Sequence, residues 1–331
     1  MTKRHLAAVA AAMTAVLSLA GCSSAPAPGS GDASGSGAAG SAETTIRLGY
    51  VPVASAGAVQ LGIEQGFFAD EGLELELSAG AGGAALLPAL TSGSLDLVLG
   101  HPISMFTAED KGLDMSIVAG YGYTAAEGEG RDSNAIVVQP DSGIESITDL
   151  DGKKVSVNTI NGPGDLSIKE SMEKSGGDPD SIEFIELAFP DAEAQLVAGN
   201  ADAIWVAEPF LTNALNNGLE MISEPYREAL PQQSGLQVFS TGAWAAANAE
   251  TIAKFRKALD ESLTYATEHE DELRALLPEF IKMDPAVAEA VVIEDLDAEP
   301  REQVLQDYAD LLVKYEYVAE PIDVPAMIAK G

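Results

Sequence analysis

Trp205 and Glu208 stand three positions apart, with Pro209 behind them, where an apolar run ends. An indole there offers a stacking wall. A carboxylate beside it can pair with a cationic or amino-bearing ligand, or with a group on a facing part of the chain. Earlier loops hold smaller groups: Pro52, Val53 and Ser55; Gly82 and Gly83; His101 and Pro102; then Asn158, Thr159, Asn161 and Gly162. Hydroxyls and amides hydrogen-bond a polar solute, and bare glycine backbone lets its own amides come close. Tyr121 and Tyr123 follow a further apolar run and are placed to line a cleft mouth. All of this is binding chemistry. Catalysis is poorly served, because only His101 is placed to activate a nucleophile and Cys22 is the single cysteine. There is no H-E-x-x-H, no cysteine-rich metal spacing, and no Walker lysine after Gly80-Ala81-Gly82-Gly83. The expectation is a binding protein without enzyme activity, cofactor or metal.

These loops share a place in the chain pattern. Ile46 to Tyr50 reads as a strand, Gly57 to Gln65 as a helix ended by Gly66, and Leu73 to Leu77 as an alternating strand. Ala84 to Ser92 reads as a helix capped by Gly93, and Leu95 to Leu99 as a buried strand. Strands at 116–119 and 135–138 follow. The order then recurs: strand 154–157, helix 164–174, strand 182–187, helix 191–198, strand 201–206. Leu90-Thr91-Ser92-Gly93-Ser94-Leu95-Asp96 aligns with Leu196-Val197-Ala198-Gly199-Asn200-Ala201-Asp202. Such β-α-β units imply parallel pairing. In open parallel sheets ligands bind beyond the carboxyl ends of strands, which is where the chemistry-bearing loops fall. Amphipathic spacing at Thr251–Glu268 and Arg301–Glu316 predicts C-terminal packing helices, with Pro285 and Pro300 at helix starts.

The chain of 331 residues carries a formal charge of -34, all of it beyond residue 43. Such a surface repels nucleic acid and anionic headgroups. No lysine or arginine lies in the candidate loops, Arg131 being nearest. An oxyanion would rest on backbone amides, helix dipoles, Ser55, Asn158, Thr159 and Asn161.

At the N-terminus, Lys3 and Arg4 precede an apolar run too short to span a bilayer. Leu19-Ala20-Gly21-Cys22 resembles the lipobox of bacterial lipoproteins. That resemblance implies a signal peptide over 1–21 and an acylated (palmitate-type) Cys22. A secretory signal with a chance cysteine is the alternative, and both export the chain. Residues 22–43, rich in Ser, Gly, Ala and Pro, read as a flexible tether with a reach of roughly 25 Å. Multiple acyl chains make a stable membrane anchor.

Gly66-Phe67-Phe68-Ala69-Asp70-Glu71-Gly72-Leu73, Gly82-Gly83 and Leu90–Asp96, then Asp149–Val155, Ala201-Asp202-Ala203 and Glu208-Pro209-Phe210, carry a further likeness. Together they resemble the nitrate/sulfonate/taurine/pyrimidine class of ABC-importer solute-binding proteins over about residues 44–270. The resemblance implies an α/β, two-lobed periplasmic-binding-protein-like type II fold, each lobe a wound, mostly parallel sheet flanked by helices. Lobe 1 would comprise 44–139 and 243–331, lobe 2 140–242, with crossings near Val137–Asp141 and Val238–Gly242. It also implies a monomer, outside the cytoplasm, that closes on a small solute and delivers it to an ABC permease and its ATPase subunits. Trp205 and Glu208 in an acidic chain favour an aromatic or amine-bearing solute such as a pyrimidine. A ligand-sensing surface lipoprotein, and an enzyme on the same fold, are the rival readings.

Overall fold

The computed structural model describes residues 43–125 and 130–331. The leader, Cys22 and nearly all of the tether lie outside the described residues. No helix among the described residues is long and apolar enough to cross a membrane.

The strands are β1 (Thr44–Tyr50), β2 (Leu73–Ala79), β3 (Leu97–Gly100), β4 (Met115–Tyr123), β5 (Asn134–Val138) and β6 (Lys154–Val157). They continue as β7 (Glu183–Glu186), β8 (Ala203–Ala207), β9 (Glu220–Ser223), β10 (Ser234–Thr241) and β11 (Asp295–Leu296). They form a six-stranded sheet, β11-β4-β10-β3-β1-β2, and a five-stranded sheet, β7-β6-β8-β5-β9. The doubled sequence pattern becomes two parallel trios, β2-β1-β3 and β7-β6-β8. Each trio is then extended by an antiparallel strand, β10 on β3 and β5 on β8, so both sheets are mixed. The helices flank them in an α/β arrangement.

The sequence repeat has a shared local chemistry. Gly93 and Gly199 both sit at φ 74°, the left-handed region a glycine enters without Cβ strain. Their amides close the preceding helix on Leu90 O and Leu196 O. Three residues on, Asp96 and Asp202 turn back to the first strand of their trio. Asp96 Oδ2 accepts from Arg47 N–H at 2.9 Å, and Asp202 Oδ2 from Lys154 N–H at 2.8 Å. The aspartate amides return the bond to Arg47 O and Lys154 O, both at 2.8 Å. One side chain thus fixes helix exit, strand entry and register together.

The chain changes sheet earlier than expected. Asn134–Val138 already belongs to the five-stranded sheet, and Ser234–Thr241 to the six-stranded one. The passages therefore fall between Tyr123 and Asn134 and between Ser223 and Ser234, not at 137–141 and 238–242. The apolar runs around 137 and 238 are central strands, buried on both faces, and alternation carries no mark of which sheet they join. The C-terminal helices cover the first sheet. Helix Ala249–Glu268 lies so close to helix Gly57–Gln65 that a Cβ on Gly62 would meet Ser262 Oγ at 1.9 Å. Helix Glu302–Lys314 packs Leu305, Tyr308 and Leu312 against Met105 and Phe106, and reaches Leu166 of the second lobe.

Removing either repeated aspartate leaves a strand amide without its acceptor. Asp96→Ala, at a buried site, should destabilise the chain by about 1–3 kcal/mol, and Asp202→Ala, at an exposed one, by about 0.5–1.5 kcal/mol. The half-exposed Arg47 ion pair adds little to the first. Denaturant midpoints equal to wild type in both variants would refute this account of the repeat.

Candidate functional site

Trp205 lies on β8, 3% exposed, and its indole N–H donates to Asn134 Oδ1 on the neighbouring β5 at 3.0 Å. Gly164, in the first turn of helix Pro163–Lys174, makes room for it: a Cβ there would meet the indole at 2.6 Å. From Trp205 a line of rings runs toward the first lobe. Trp205 and Tyr226 are 5.6 Å apart, Tyr226 and His101 5.7 Å, and His101 and Tyr308 5.3 Å. On the other side Phe189 is 5.5 Å from Trp205.

His101 caps helix Pro102–Asp110, its Nδ1 accepting from Ile103 N–H at 3.3 Å. That bond assigns the ring proton to Nε2, which is buried with no partner. Burial pulls the imidazole down to about 3, so it is neutral. The Tyr308 hydroxyl is likewise buried and unpartnered. No serine or cysteine among the described residues is bonded to His101 Nε2.

Beside the rings lies a carboxylate cluster on the passage between sheets. Glu294 Oε2 accepts from Ser55 Oγ at 2.9 Å, and its Oε1 from Ser133 Oγ at 3.3 Å. It rests on bare backbone: a Cβ on Gly122 of β4 or Gly235 of β10 would meet a Glu294 carboxylate oxygen at 2.3 Å. Asp132, 1% exposed, gives its N–H to Glu224 and accepts from Ser133 N–H at 2.9 Å through Oδ1. Its Oδ2 is buried without a partner, as is Nδ2 of Asn134. Burial, with Glu294 and Glu224 adding repulsion, pushes Asp132 up to about 7, although Ser133 N–H and Arg227 oppose this. Burial also raises Glu294, against its two serine donors. Asp132, Asn134, Tyr226, Glu294 and Tyr308 escaped sequence reasoning. The available signal was glycine inside strands, at Gly122 and Gly235, which marks close approach by another group.

Other expected contacts are placed differently. Glu208 is 4% exposed and fully engaged. It accepts from Arg131 at 2.9 Å, from Thr212 Oγ1 at 2.9 Å and N–H at 3.0 Å, and from Val292 N–H at 3.1 Å. Tyr121 is in the first-lobe core, where its hydroxyl donates to Ser55 O at 2.8 Å. It braces the first loop and does not line a cleft mouth. Tyr123 is also buried, donating to Glu299 O at 2.7 Å. Pro52 is exposed and Val53 packs on the core. Gly83 serves packing, since a Cβ would meet Ser104 Oγ at 2.6 Å, and Gly82 faces open space. Pro102 is buried at the start of its helix.

In loop 158–164 three backbone amides are already bonded within the chain. Ile160 N–H donates to Glu186 at 3.0 Å, and Asn161 and Gly162 N–H to Asp165, both at 2.8 Å. Thr159 and Asn161 face solvent, while Asn158 keeps a buried, unpartnered Oδ1. Ser55, His101 and Trp205 are therefore the expected residues that join the newly found cluster.

The NMT1/THI5 like family matches residues 56–273, about two thirds of the sequence. The chain belongs to that family. The formylaminopyrimidine-binding protein of Halalkalibacterium halodurans is 23% identical over 234 residues, covering 69% of this chain and 67% of the relative. The periplasmic aliphatic sulphonate binding protein SsuA of Escherichia coli superposes with a TM-score of 0.74 at 22% identity, covering 87% of this chain and 98% of that one. The periplasmic nitrate-binding protein NrtA of Synechocystis PCC 6803 gives 0.69 at 17% identity, covering 86% and 84%. This NMT1/THI5 like chain therefore has the periplasmic binding protein fold. The relatives named are binding proteins.

Asp132 binds its proton more tightly in the folded chain than an unfolded aspartate does. The folded state therefore holds extra proton between about pH 4 and about 7, and this group's contribution to stability falls as pH rises through that window. Asp132→Asn removes the burden of a buried charge. It should be more stable than wild type at pH 8, by on the order of 2 kcal/mol, with the gain vanishing toward pH 4. Parallel melting curves of both proteins at all pH values would contradict the burial and charge assigned to Asp132.

Proposed function

We propose that this chain is the extracytoplasmic solute-binding component of an ABC importer and has no enzyme activity. It is held to the membrane through lipidated Cys22 and acts as a monomer. A small solute is captured between residues 44–125 with the C-terminal helices and residues 130–230, and is passed to a permease driven by ATPase subunits. The observation that carries this reading is the seam between the two sheets. There His101 Nε2, Asp132 Oδ2, Asn134 Nδ2 and Tyr308 Oη are buried without partners around the Trp205 and Tyr226 rings. Buried polar atoms ordinarily find partners, and a set left open beside aromatic faces suits a guest that supplies them. Closure follows if the guest touches both sides, since only interactions it makes more strongly in the closed form than in the open one favour closing.

Relatives bind formylaminopyrimidine, sulphonate and nitrate. The acidic, aromatic seam supports an amine-bearing heterocycle. A second reading, an oxyanion, is favoured by one feature: helix Gly83–Thr91 has no acidic residue in its first turn and no side-chain cap. Thermal melts against aminopyrimidines, alkanesulfonates, taurine and nitrate separate them. A ligand at a hundred times its Kd should stabilise the fold by about 2.7 kcal/mol, seen as a higher Tm. Trp205→Ala should weaken binding by about tenfold or more. Solution scattering should show contraction on binding. Failure of every class to raise the Tm, with an unchanged scattering radius, would reject the transport reading.

A further inference from the structure

One face of helix Pro163–Lys174 is turned across the junction of the two lobes. Leu166, Lys169, Glu170 and Glu173 follow the i, i+3, i+4, i+7 spacing of a single helix face. Each meets the C-terminal helix Glu302–Lys314 or the turn that follows it. Leu166 is fully buried with Leu305 and Leu312. Lys169 Nζ lies 5.5 Å from the centre of the Tyr317 ring. Lys314 Nζ donates to Glu170 Oε2 at 2.6 Å and stands 3.1 Å from Glu173 Oε2. The Tyr315 hydroxyl is 2.9 Å from Glu170 Oε2 and 2.7 Å from Glu173 Oε2, and gives its one proton to either. Glu170 is 6% exposed, so its charge is largely out of water. Within its own helix Lys174 comes near, at 3.9 Å from the other Glu170 oxygen.

Local preference does not account for these carboxylates. Two glutamates three positions apart on one face repel each other, and both stand toward the C-terminal end of a helix, which favours cations. Groups from the other lobe offset that cost. Acidic residues outnumber basic ones on both sides of the junction, so the lobes repel as they approach, and Lys314 enters between two of those charges. The same helices also reach the seam. Tyr308, beside His101, stands two turns before Tyr315, a distance of about 10 Å. Gly164, against Trp205, lies on the helix that carries Glu170. The lobes are joined by the two passages between sheets, and rotation about these moves one helix against the other. Resting on the solute-binding reading, we propose that Glu170, Glu173, Lys314 and Tyr315 form a closure latch outside the seam. The chain makes this contact alone. It therefore raises the population of the closed arrangement before any solute arrives, and the affinity for every solute rises by the same factor.

Small-angle scattering and isothermal titration of the purified full chain test this, with 4-aminopyrimidine, ethanesulfonate, taurine and nitrate as probes. Lys314→Glu should enlarge the radius of the unbound chain. It should also weaken each probe that wild type binds by about tenfold, equally for all. Adding Glu173→Lys, at a half-exposed position, should recover most of the loss. Sodium chloride at roughly 1 M should narrow the gap between wild type and Lys314→Glu. Circular dichroism confirms folding; if Lys314→Glu does not fold, Tyr315→Phe carries the test, with about a threefold loss expected. Wild-type radius and affinities in the folded variants overturn the latch and leave the solute-binding reading standing. A loss confined to one probe does the same, because it assigns these residues to the solute. If wild type binds none of the probes, the solute-binding reading falls and the radius of Lys314→Glu decides the latch: expansion supports it, and no change overturns it.

Discussion

Glu208 is a side chain through which the second lobe takes hold of the first, as Glu170 is where it accepts from Lys314. The two oxygens of Glu208 accept from Arg131 on the passage between sheets, from Thr212 on its own lobe and from the Val292 amide, which adjoins the first-lobe core. A buried carboxylate with this many donors holds its place firmly, and loss of one partner would strand a charge. The segment 131–134, and with it Asp132 and Asn134, is anchored from this point.

The same economy governs the acidic surplus of the whole chain. Carboxylates repeatedly take the place a bound anion would occupy. Asp165 and Glu186 engage the amides of loop 160–162, Asp149 engages Ser146, and Glu109 engages Met115 N–H. Each satisfies a backbone donor that a loop or helix end would otherwise expose. Net charge is therefore partly structural here.

How much of this was legible depended on whether a residue's role was local. Gly93, Gly199 and the paired aspartates act within a few residues or one strand, so their repeat could be read directly and predicted the two trios. Trp205 and His101 could be placed because strand ends follow from the same units. The sheet change could not, because β5 and β10 are apolar throughout and name no partner. Tyr308 looked like one more packing residue of an amphipathic helix. It is indeed fully buried, but its hydroxyl lies beside His101, a neighbour two hundred positions away in sequence. Glu294 and Asp132 sat in connections to which no strand-end rule applies. Glu208 was seen, yet its choice among partners depended on Val292, which only the folded chain brings near.

The path of the chain has a further consequence for biogenesis. Among the described strands β4 pairs only with β10 and β11, both of which follow the entire second sheet. As the polypeptide emerges, β4 must wait, long and apolar, with both edges open until Ser234 and beyond have been made. Unpaired edges of this sort invite intermolecular pairing. The second lobe, whose strands are contiguous from Asn134 to Ser223, can assemble on its own in the meantime. The nascent chain can therefore complete its middle sheet before the outer one, whose strands come from both ends of the described chain.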